Sequence, residues 1–526
     1  VIQALVFIKI IKVEALTLSL MLITATIGAI LGAGIVSKLP VKKIQLTNPN
    51  SINMKKLTSL LLLAIFFLAC KTNKKVDKES ANENEYKIAS ITKADLETAV
   101  IYEANIRQYS PEGTFNEFTK DIPKIKKLGV KVIWLMPIFP ISKTKRKATG
   151  GANSKFASEF PKEEQAKYLG SYYAVSDFTK INPEFGDISD FRKLVNTAHE
   201  NGIYVILDWV PNHTGWDHTW LKTNKDFYTQ NEKGEVIHPK DTDWTDTADL
   251  NYENPAMRKQ MISDMKYWLK EQNVDGFRCD VAGSVPLDFW QQAIPELRAQ
   301  KDIFMLAEAW EPELLKGNLF DMAYAWDGHH LFNDLAKGNK TAEDLKNYIH
   351  KTYKERYEKD DILMNFVTNH DENSWNGTIE ERMGEKAEML TALSYVMPGM
   401  PLIYSGQEYD LNHRLKFFEK DSFPKSKGET FELLQKLGHL KNTSNTLNGG
   451  KDKAAFEVLR SDANQFVLKR TKGKEILLYF GNFSENTTKI STKENGSFTE
   501  VITNEKYDLN NKEVQLAPFS YKILIK

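Results

Sequence analysis

The chain has 526 residues, with 70 basic and 70 acidic side chains and 41% hydrophobic residues, values typical of a soluble globular protein of two or three domains. This balanced charge, without a long basic run, gives no electrostatic reason to expect a nucleic acid as partner. The only two cysteines, Cys70 and Cys279, lie in very different sequence contexts, which excludes a disulfide framework.

Residues 54–70 have the pattern of an export signal. The segment starts with Met-Lys-Lys, continues with a mainly apolar run of 13 residues, Leu57 to Ala69, and ends at Cys70. Such a run is too short to cross a bilayer but matches the centre of a signal peptide. It resembles a bacterial lipoprotein signal, which predicts a protein exported to the cell envelope and anchored to the membrane by a lipid on Cys70. Plain signal-peptidase cleavage is the alternative, and residues 71–98 are predicted to form a flexible tether.

The first 53 residues are harder to interpret. Ala15 to Val36 is an uncharged run of 22 residues, long enough for a transmembrane helix, and three lysines follow it closely. Because a signal peptide behind a membrane span makes little sense, we expect Met54 to be the true start and residues 1–53 to lie outside the working protein. A genuine N-terminal anchor is the competing interpretation.

Residues 99–445 alternate short apolar runs with amphipathic stretches, the pattern of a parallel α/β fold. Apolar residues at helical spacing predict helices over 118–128, 190–201 and 257–272. Eight strands are expected, at 100–107, 130–136, 204–210, 276–280, 303–308, 322–325, 364–367 and 401–404. Eight repeats of strand and helix predict a closed (β/α)8 barrel, the TIM barrel.

Two regions depart from this alternation. Residues 214–254 are rich in Trp, Asp, Thr and Asn without a helical period, which predicts an inserted subdomain after the third strand. Residues 446–526 carry short runs of period two separated by Asn, Gly and Lys, which predicts a C-terminal antiparallel β domain.

Polar residues cluster where the predicted barrel strands end. They are Asp208, Asn212 and His213 at strand three, Arg278 and Asp280 at strand four, Glu308 at strand five, and Asn369, His370 and Asp371 at strand seven. Any one of them could cap a helix or form a structural ion pair. A barrel brings the carboxyl ends of its strands to one rim, however, so together they predict a single site.

Two of these carboxyl groups suit glycoside hydrolysis with retention of configuration, which needs a nucleophile and a general acid a short distance apart. Arg278 and Asp280 are two residues apart on one strand and share a face, so Arg278 is expected to keep Asp280 ionised as the nucleophile. Glu308, among apolar residues and facing other carboxylates, is expected to hold its proton as the general acid. Asp371, with His213 and His370, is expected to form hydrogen bonds with sugar hydroxyls.

These motifs resemble those of the α-amylase family, glycoside hydrolase family 13, over roughly residues 99–526. The matching segments are Asp-Trp-Val-Pro-Asn-His at 208–213, Gly-Phe-Arg-Cys-Asp at 276–280, Glu308, and Asn-His-Asp at 369–371. The resemblance implies a barrel, a short domain B and a C-terminal β-sandwich. It also implies cleavage of α-1,4-glucosidic bonds in starch, glycogen or maltooligosaccharides.

The resemblance extends to the individual residues of the site. It makes Asp280, Glu308 and Asp371 the catalytic residues and places Tyr173 as the ring under the sugar at the cleavage point. The implied substrate-binding residues are Tyr173, Asp208, His213, Arg278, Asn369 and His370. A monomer is expected.

The family chemistry implies no cofactor, but a structural calcium ion stays open, with Asn212 as its candidate ligand. Gly283 and Ser284 stand where many α-amylases have Lys-His, and domain B is short, so this ion and one sugar contact are in doubt. An α-glucosidase, a neopullulanase-like enzyme or a glucan transferase would share the same catalytic groups. The non-enzymatic alternative is a glucan-binding accessory protein.

Overall fold

Eight short parallel strands close into a barrel, as the sequence predicts. They are β1 (Ile101–Ala104), β2 (Val132–Leu135), β3 (Tyr204–Trp209), β4 (Gly276–Cys279), β5 (Phe304–Ala307), β6 (Met322–Tyr324), β7 (Leu363–Asn365) and β8 (Met400–Tyr404). The barrel closes because β1 pairs with both β2 and β8. The computed structural model describes residues 88–151, 153–510 and 513–526.

The α-helices of the described residues mostly cover the outside of this barrel. They are α1 (Lys93–Leu96), α2 (Ile106–Tyr109), α3 (Phe115–Thr119), α4 (Ile122–Lys127), α5 (Ile188–Glu200), α6 (Thr219–Thr223), α7 (Pro255–Glu271), α8 (Leu287–Arg298), α9 (Trp326–Lys337), α10 (Ala342–His350), α11 (Ile379–Met383), α12 (Ala387–Val396) and α13 (Glu429–Thr443). Within the described parts of the chain, no helix is long and apolar enough to cross a membrane.

One predicted helix is divided in the structure. The sequence predicts a single helix over 118–128, but α3 ends at Thr119 and α4 begins at Ile122. Pro123 occupies the first turn of α4, where its missing N–H costs no hydrogen bond. Apolar residues keep their helical spacing through both segments, so the sequence pattern does not reveal the break between them.

Alternation along the strands decides which side chains enter the barrel. On β3, Val205 and Leu207 pack in the large core between barrel and helices. Ile206 belongs instead to the cluster enclosed by the strands. Successive side chains on a strand point to opposite faces, so Asp208 points into the barrel with Ile206.

The predicted insertion follows β3. Two short strands, His213–Gly215 and Thr247–Asp249, pair antiparallel and enclose α6 and the loops between them. His213 pairs with Asp249 in this hairpin. The hairpin therefore begins five residues after Asp208 and keeps His213 close to the end of β3.

The C-terminal region forms two antiparallel sheets. Its strands are β9 (Ala455–Ser461), β10 (Gln465–Lys472), β11 (Glu475–Asn482), β12 (Thr488–Ile490), β13 (Ser497–Glu500), β14 (Lys506–Asp508), β15 (Val514–Leu516) and β16 (Tyr521–Ile525). The larger sheet has the order β9-β10-β11-β16-β13-β14, and β12 pairs with β15. Phe480 and Leu524 of the larger sheet share a buried core with Ile490 and Val514 of the smaller one. This packing confirms the predicted sandwich.

The segments predicted to be a membrane span, an export signal and most of the tether lie outside the described residues. Ile88 is the first described residue of the chain. The tether prediction therefore reaches the structure only in its last residues, 88–98.

Candidate active site

One guanidinium ties together three carboxyl groups at the carboxyl end of the barrel. Nη1 of Arg278 donates to Oδ1 of Asp208 at 2.8 Å and to Oδ1 of Asp280 at 3.0 Å. Its Nη2 atom lies 2.8 Å from Oε2 of Glu308. Because both Nη atoms belong to one small planar group, the carboxyls of Asp280 and Glu308 face the same space. The residues predicted as nucleophile and general acid are therefore neighbours.

Strand pairing produces this convergence. Asp208 on β3 lies directly opposite Arg278 on β4. Hydrogen bonds continue beyond the strand ends, from the N–H of Asp280 to Trp209 at 2.9 Å and from the N–H of Glu308 to Cys279 at 3.1 Å. The carboxyl-bearing residues are thus held by backbone bonds as well as by Arg278.

Asp208 lies beneath the floor of the site. Its carboxyl is fully buried and also accepts hydrogen bonds from the indole N–H of Trp134 at 3.1 Å and from the Tyr173 hydroxyl at 3.2 Å. Burial raises the pKa of Asp208 to about 6, although Arg278 opposes the shift. Its observed contacts are with protein groups, so its place in the structure is that of a residue positioning Arg278 and Tyr173. The sequence-based assignment to substrate binding stays a prediction.

The charge balance around Asp280 differs from the sequence expectation. Burial raises the pKa of Asp280 well above its usual range, and the nearby Glu308, Asp208 and Asp371 add to the rise. Arg278 lowers this pKa but does not outweigh the other effects. Asp208 and Asp280 therefore retain protons at higher pH than isolated carboxyls do. Such a cluster can store the proton that acid catalysis requires.

Glu308 is oriented by a strained backbone. The N–H of Val281 donates to Oε2 of Glu308 at 2.8 Å. Val281 has φ 37° and ψ 47°, a left-handed conformation that is unfavourable for a β-branched residue. Strain of this kind persists where the surrounding structure demands it and is frequent at functional sites. Here the strained backbone directs the N–H of Val281 towards Glu308, the predicted general acid.

His370 is held by a second buried carboxylate that the sequence reasoning missed. Nδ1 of His370 lies 2.5 Å from Oε1 of Glu103, and its Nε2 lies 2.8 Å from the Tyr173 hydroxyl and 3.4 Å from Oδ2 of Asp371. Burial alone would lower the pKa of His370, but Asp371 and Glu103 reverse this and raise it to about 9. His370 is therefore an imidazolium at neutral pH, with both ring nitrogens protonated.

This arrangement predicts a pH effect for Glu103→Gln. Glutamine keeps a hydrogen-bond acceptor for Nδ1 but removes the charge, so the pKa of His370 should fall by about one unit or more. The imidazolium is lost as pH rises through that pKa, and the alkaline limb of kcat is therefore expected to move to lower pH. A pH–rate profile measures the shift.

Glu457→Gln, on the exposed strand β9, is the matched control and should leave the profile unchanged. An alkaline limb in the same place for Glu103→Gln and wild type would contradict a role for the imidazolium.

The site opens into a cleft of about 450 Å³. The lining residues are Lys147, Gly150, Gly151, Ser171, Tyr173, His213, Asp243, Trp244, Asp246, Thr247, Asp280, Val281, Glu308, His370, Asp371, Trp375, Phe417 and Phe418. Of the predicted site residues, the cleft thus brings together Tyr173, His213, Asp280, Glu308, His370 and Asp371. Burial lowers the pKa of His213 to about 3, so it is a neutral imidazole there.

Besides Asp208 and Arg278, two predicted residues do not line the cleft, Asn369 and Asn212. Asn369 is fully buried, and its Oδ1 accepts the N–H of Glu372 at 2.8 Å, which orders the turn that carries Asp371. The carbonyl of Asn212 accepts the N–H of Leu250 at 3.2 Å.

The surroundings of Asn212 also bear on the calcium question. Its side-chain amide nitrogen lies 3.2 Å from Nδ1 of His213. Within the described parts of the chain, no three His, Cys, Asp or Glu side chains form a group that could hold a metal ion. Calcium takes six to eight oxygen ligands, commonly several carboxylates among them, and no such group of carboxylates surrounds Asn212 in the described residues.

Several residues in and beneath the cleft were not found from the sequence, for different reasons. Glu103 is an acidic residue inside an apolar strand, the same signal that identified Asp208, and could have been found. Phe417 and Lys147 lie on loops and Trp375 in a short π-helical turn, and no sequence period reveals how these segments pack. Nothing in the sequence marks Val281 as strained.

Comparison with solved structures agrees with this fold. A maltogenic α-amylase from Thermotoga neapolitana superimposes with a TM-score of 0.71 at 28% identity, over 82% of this chain and 99% of the other. An α-amylase from Lactobacillus plantarum gives a TM-score of 0.71 at 28% identity, over 82% and 100%.

Relatives by sequence carry several activities. A 4-α-glucanotransferase from Thermotoga neapolitana is 27% identical over 56% of this chain and 67% of its own length. An α-amylase of Dictyoglomus thermophilum is 26% identical over 59% and 64%. An intracellular maltogenic amylase of Bacillus subtilis is 27% identical over 70% and 62%. The chain thus spans about two thirds of the length of these relatives.

A family model settles the relationship. The model described as alpha amylase, catalytic domain, matches residues 78–439, more than half of the chain. That match contains the strands of the barrel and every carboxyl group of the site. The chain therefore belongs to the α-amylase family of glycoside hydrolases, whose chemistry needs no cofactor.

Proposed function

We propose that this chain cleaves α-1,4-glucosidic bonds in starch, glycogen or maltooligosaccharides with retention of configuration at the anomeric carbon. The observation that carries the proposal is the contact of Asp280 and Glu308 with one guanidinium, that of Arg278, at the floor of an open cleft. A retaining enzyme needs two carboxyls about 5 Å apart. The contact of both carboxyls with one guanidinium supports a short separation of this kind.

In the first step, Asp280 reacts from its ionised form, which Arg278 favours, and attacks the anomeric carbon while Glu308 gives its proton to the leaving oxygen. The glucosidic bond breaks, and a bond forms between the sugar and the Asp280 carboxyl. The Val281 N–H and Arg278 hold Oε2 of Glu308 in place during this transfer. The leaving chain departs with a new hydroxyl group.

In the second step, Glu308 takes a proton from water, and the resulting oxygen nucleophile attacks the same carbon. The bond to Asp280 breaks, and the nucleophile returns to its ionised state. Two displacements at one carbon restore the original anomeric configuration. Tyr173, His370 and His213 line the cleft around this carbon, where they are placed to stack on the sugar and to bond its hydroxyls.

Product analysis on soluble starch, pullulan and maltose tests the proposal. Mixed maltooligosaccharides from starch, with the newly formed ends first in the α configuration by NMR, are expected. Asp280→Asn protein serves as the control for contaminating activity. New ends in the β configuration, or no product from any of the three substrates, would contradict it.

A glucan transferase, an α-glucosidase or a neopullulanase-like enzyme would use the same catalytic groups. The transferase is favoured by one observation, a 4-α-glucanotransferase among the relatives. The same product analysis separates these activities. Products longer than the substrate indicate transfer, glucose from maltose alone indicates an α-glucosidase, and cleavage of pullulan indicates the neopullulanase type.

We also propose that the enzyme needs no structural calcium at Asn212, because no group of carboxylates in the described residues is arranged to hold the ion with it. Treatment with a calcium chelator is expected to leave both Tm and activity unchanged. Differential scanning calorimetry with and without added calcium measures the first, and starch hydrolysis the second. A Tm that falls on chelation and recovers with calcium would contradict this.

Export and lipid attachment complete the proposal. Residues 54–70 support an enzyme held at the cell envelope through Cys70, where it can act as a monomer on glucans too long to enter a cell. Mass spectrometry of the mature N-terminus tests this. A lipid-modified Cys70 supports it, and recovered peptides from residues 1–50 would contradict it.

A further inference from the structure

A row of aromatic rings runs along the cleft away from the catalytic residues. Tyr173 stacks on His370 with ring centroids 5.5 Å apart and lies nearly parallel to Phe417, whose ring centroid is 6.4 Å away. Phe417 in turn lies 5.0 Å from Trp375. These rings all line the same cleft, so the row joins the cleavage point to Trp375.

Trp375 is unusual for its exposure. In the described parts of the chain, three large apolar side chains are exposed: Leu287 at 37%, Trp310 at 42% and Trp375 at 44%. Of these, Trp375 alone lines the catalytic cleft. An exposed indole costs free energy in water and commonly marks a binding surface. Its place in this row points to a ligand that also reaches Tyr173.

The segment that carries Trp375 is firmly anchored. Glu372 pairs with His329 at 3.0 Å and accepts a hydrogen bond from Asn376 at 3.0 Å. Asn373 donates to the carbonyl of His413 at 3.0 Å and accepts the N–H of Leu415 at 2.9 Å, which ties the segment to the loop after β8. The exposed indole is therefore held in place before any ligand arrives.

The loop after β2 packs against the Trp375 indole at Gly150 and limits the space around the ring. A Cβ atom on Gly150 would lie 2.8 Å from the ring atoms of Trp375, so only glycine allows the loop to approach so closely. Phe418 lies 5.9 Å from the same ring. Part of the indole is thus packed, and its remaining surface is available in the cleft.

We propose that Trp375 and Phe417 form a stacking platform for the glucosyl units that lie beyond the one at Tyr173. This inference rests on the proposed function and makes Trp375 a specificity residue that favours longer maltooligosaccharides. A sugar ring has a flat apolar face and a polar edge. The aromatic row offers the apolar surface, and Lys147 and Asp243 line the same cleft with polar groups.

The test is the dependence of kcat/KM on chain length for maltotriose and maltoheptaose. For Trp375→Ala, the ratio of maltoheptaose to maltotriose is expected to fall about tenfold or more relative to wild type. Trp375→Phe, which keeps a flat ring, is the matched control and should recover most of the ratio. Tm measured for each variant checks that the fold is intact.

The outcomes separate this inference from the proposed function. Wild-type protein that cleaves no glucan would overturn the proposed function itself. Active wild-type protein together with an unchanged ratio in Trp375→Ala would overturn only the platform. An equal loss on both substrates would also overturn it, because that result indicates a structural effect on the whole site.

Discussion

Asp280→Asn and Glu308→Gln are each expected to reduce kcat on starch by about a thousandfold or more, equivalent to about 4 kcal/mol of transition-state free energy. Asparagine cannot form the covalent bond to the anomeric carbon, and glutamine has no proton to give to the leaving oxygen. Both replacements keep an acceptor for Arg278, and glutamine also keeps one for the Val281 N–H. We therefore expect both variants to remain folded.

The two roles can be separated with activated substrates. A glucosyl fluoride has a leaving group that departs without protonation, so Glu308→Gln should keep much of the first step on it. Asp280→Asn should remain inactive on the same substrate because its nucleophile is missing. Equal behaviour of the two variants on the fluoride, or substantial starch hydrolysis by either, would contradict the assignment.

Arg278→Met is expected to lower the free energy of unfolding by about 3–5 kcal/mol at neutral pH and to abolish activity. The change leaves the fully buried Asp208 without its cation, and Asp280 and Glu308 lose the group that holds them together. Urea denaturation followed by circular dichroism measures the loss. Arg460→Met, which breaks an exposed ion pair with Asp462, is the control and should cost less than about 1 kcal/mol.

The destabilisation should depend on pH in a definite direction. Burial already raises the pKa of Asp208 to about 6, and the loss of Arg278 should raise it further. A carboxyl whose folded-state pKa exceeds its unfolded value destabilises the protein as pH rises between the two values. The two proteins differ in the protonation of Asp208 only between about pH 6 and the higher pKa of the variant, so the cost of Arg278→Met should shrink as pH falls from above neutrality towards 6.

Adding Asp208→Asn to Arg278→Met removes the uncompensated charge and should restore part of the lost stability at neutral pH. A double variant no more stable than Arg278→Met would contradict this electrostatic explanation.

The barrel and the position of the catalytic groups could be predicted because both follow from local rules. Eight apolar runs, separated by stretches of helical period, predicted every barrel strand to within a few residues. Charged residues at the ends of buried strands need a reason to be there, and this argument located Asp208, Arg278, Asp280 and Glu308. It applied equally to Glu103, which was overlooked.

The packing of loops could not be predicted in the same way. The contact of Trp375 with Phe417 joins residues 42 positions apart, one in a short π-helical turn over Glu372–Asn376 and the other in the loop after β8. No periodicity relates them, because they belong to separate segments of which neither is a long regular element. The left-handed backbone of Val281 is likewise imposed by its surroundings and leaves no mark in the residue type.

For this protein, the sequence by itself determined the family, the barrel and the identity of the carboxyl groups, since strand alternation places those groups at one rim. Only the tertiary structure decided which of them face the cleft. Asp208 and Asn369 have polar side chains like those of the cleft residues, but both are buried. Asp208 accepts a hydrogen bond from Arg278, and Asn369 accepts one from the N–H of Glu372. The protonation of His370 was also decided there, because the pKa of a side chain depends on the charges that folding brings beside it.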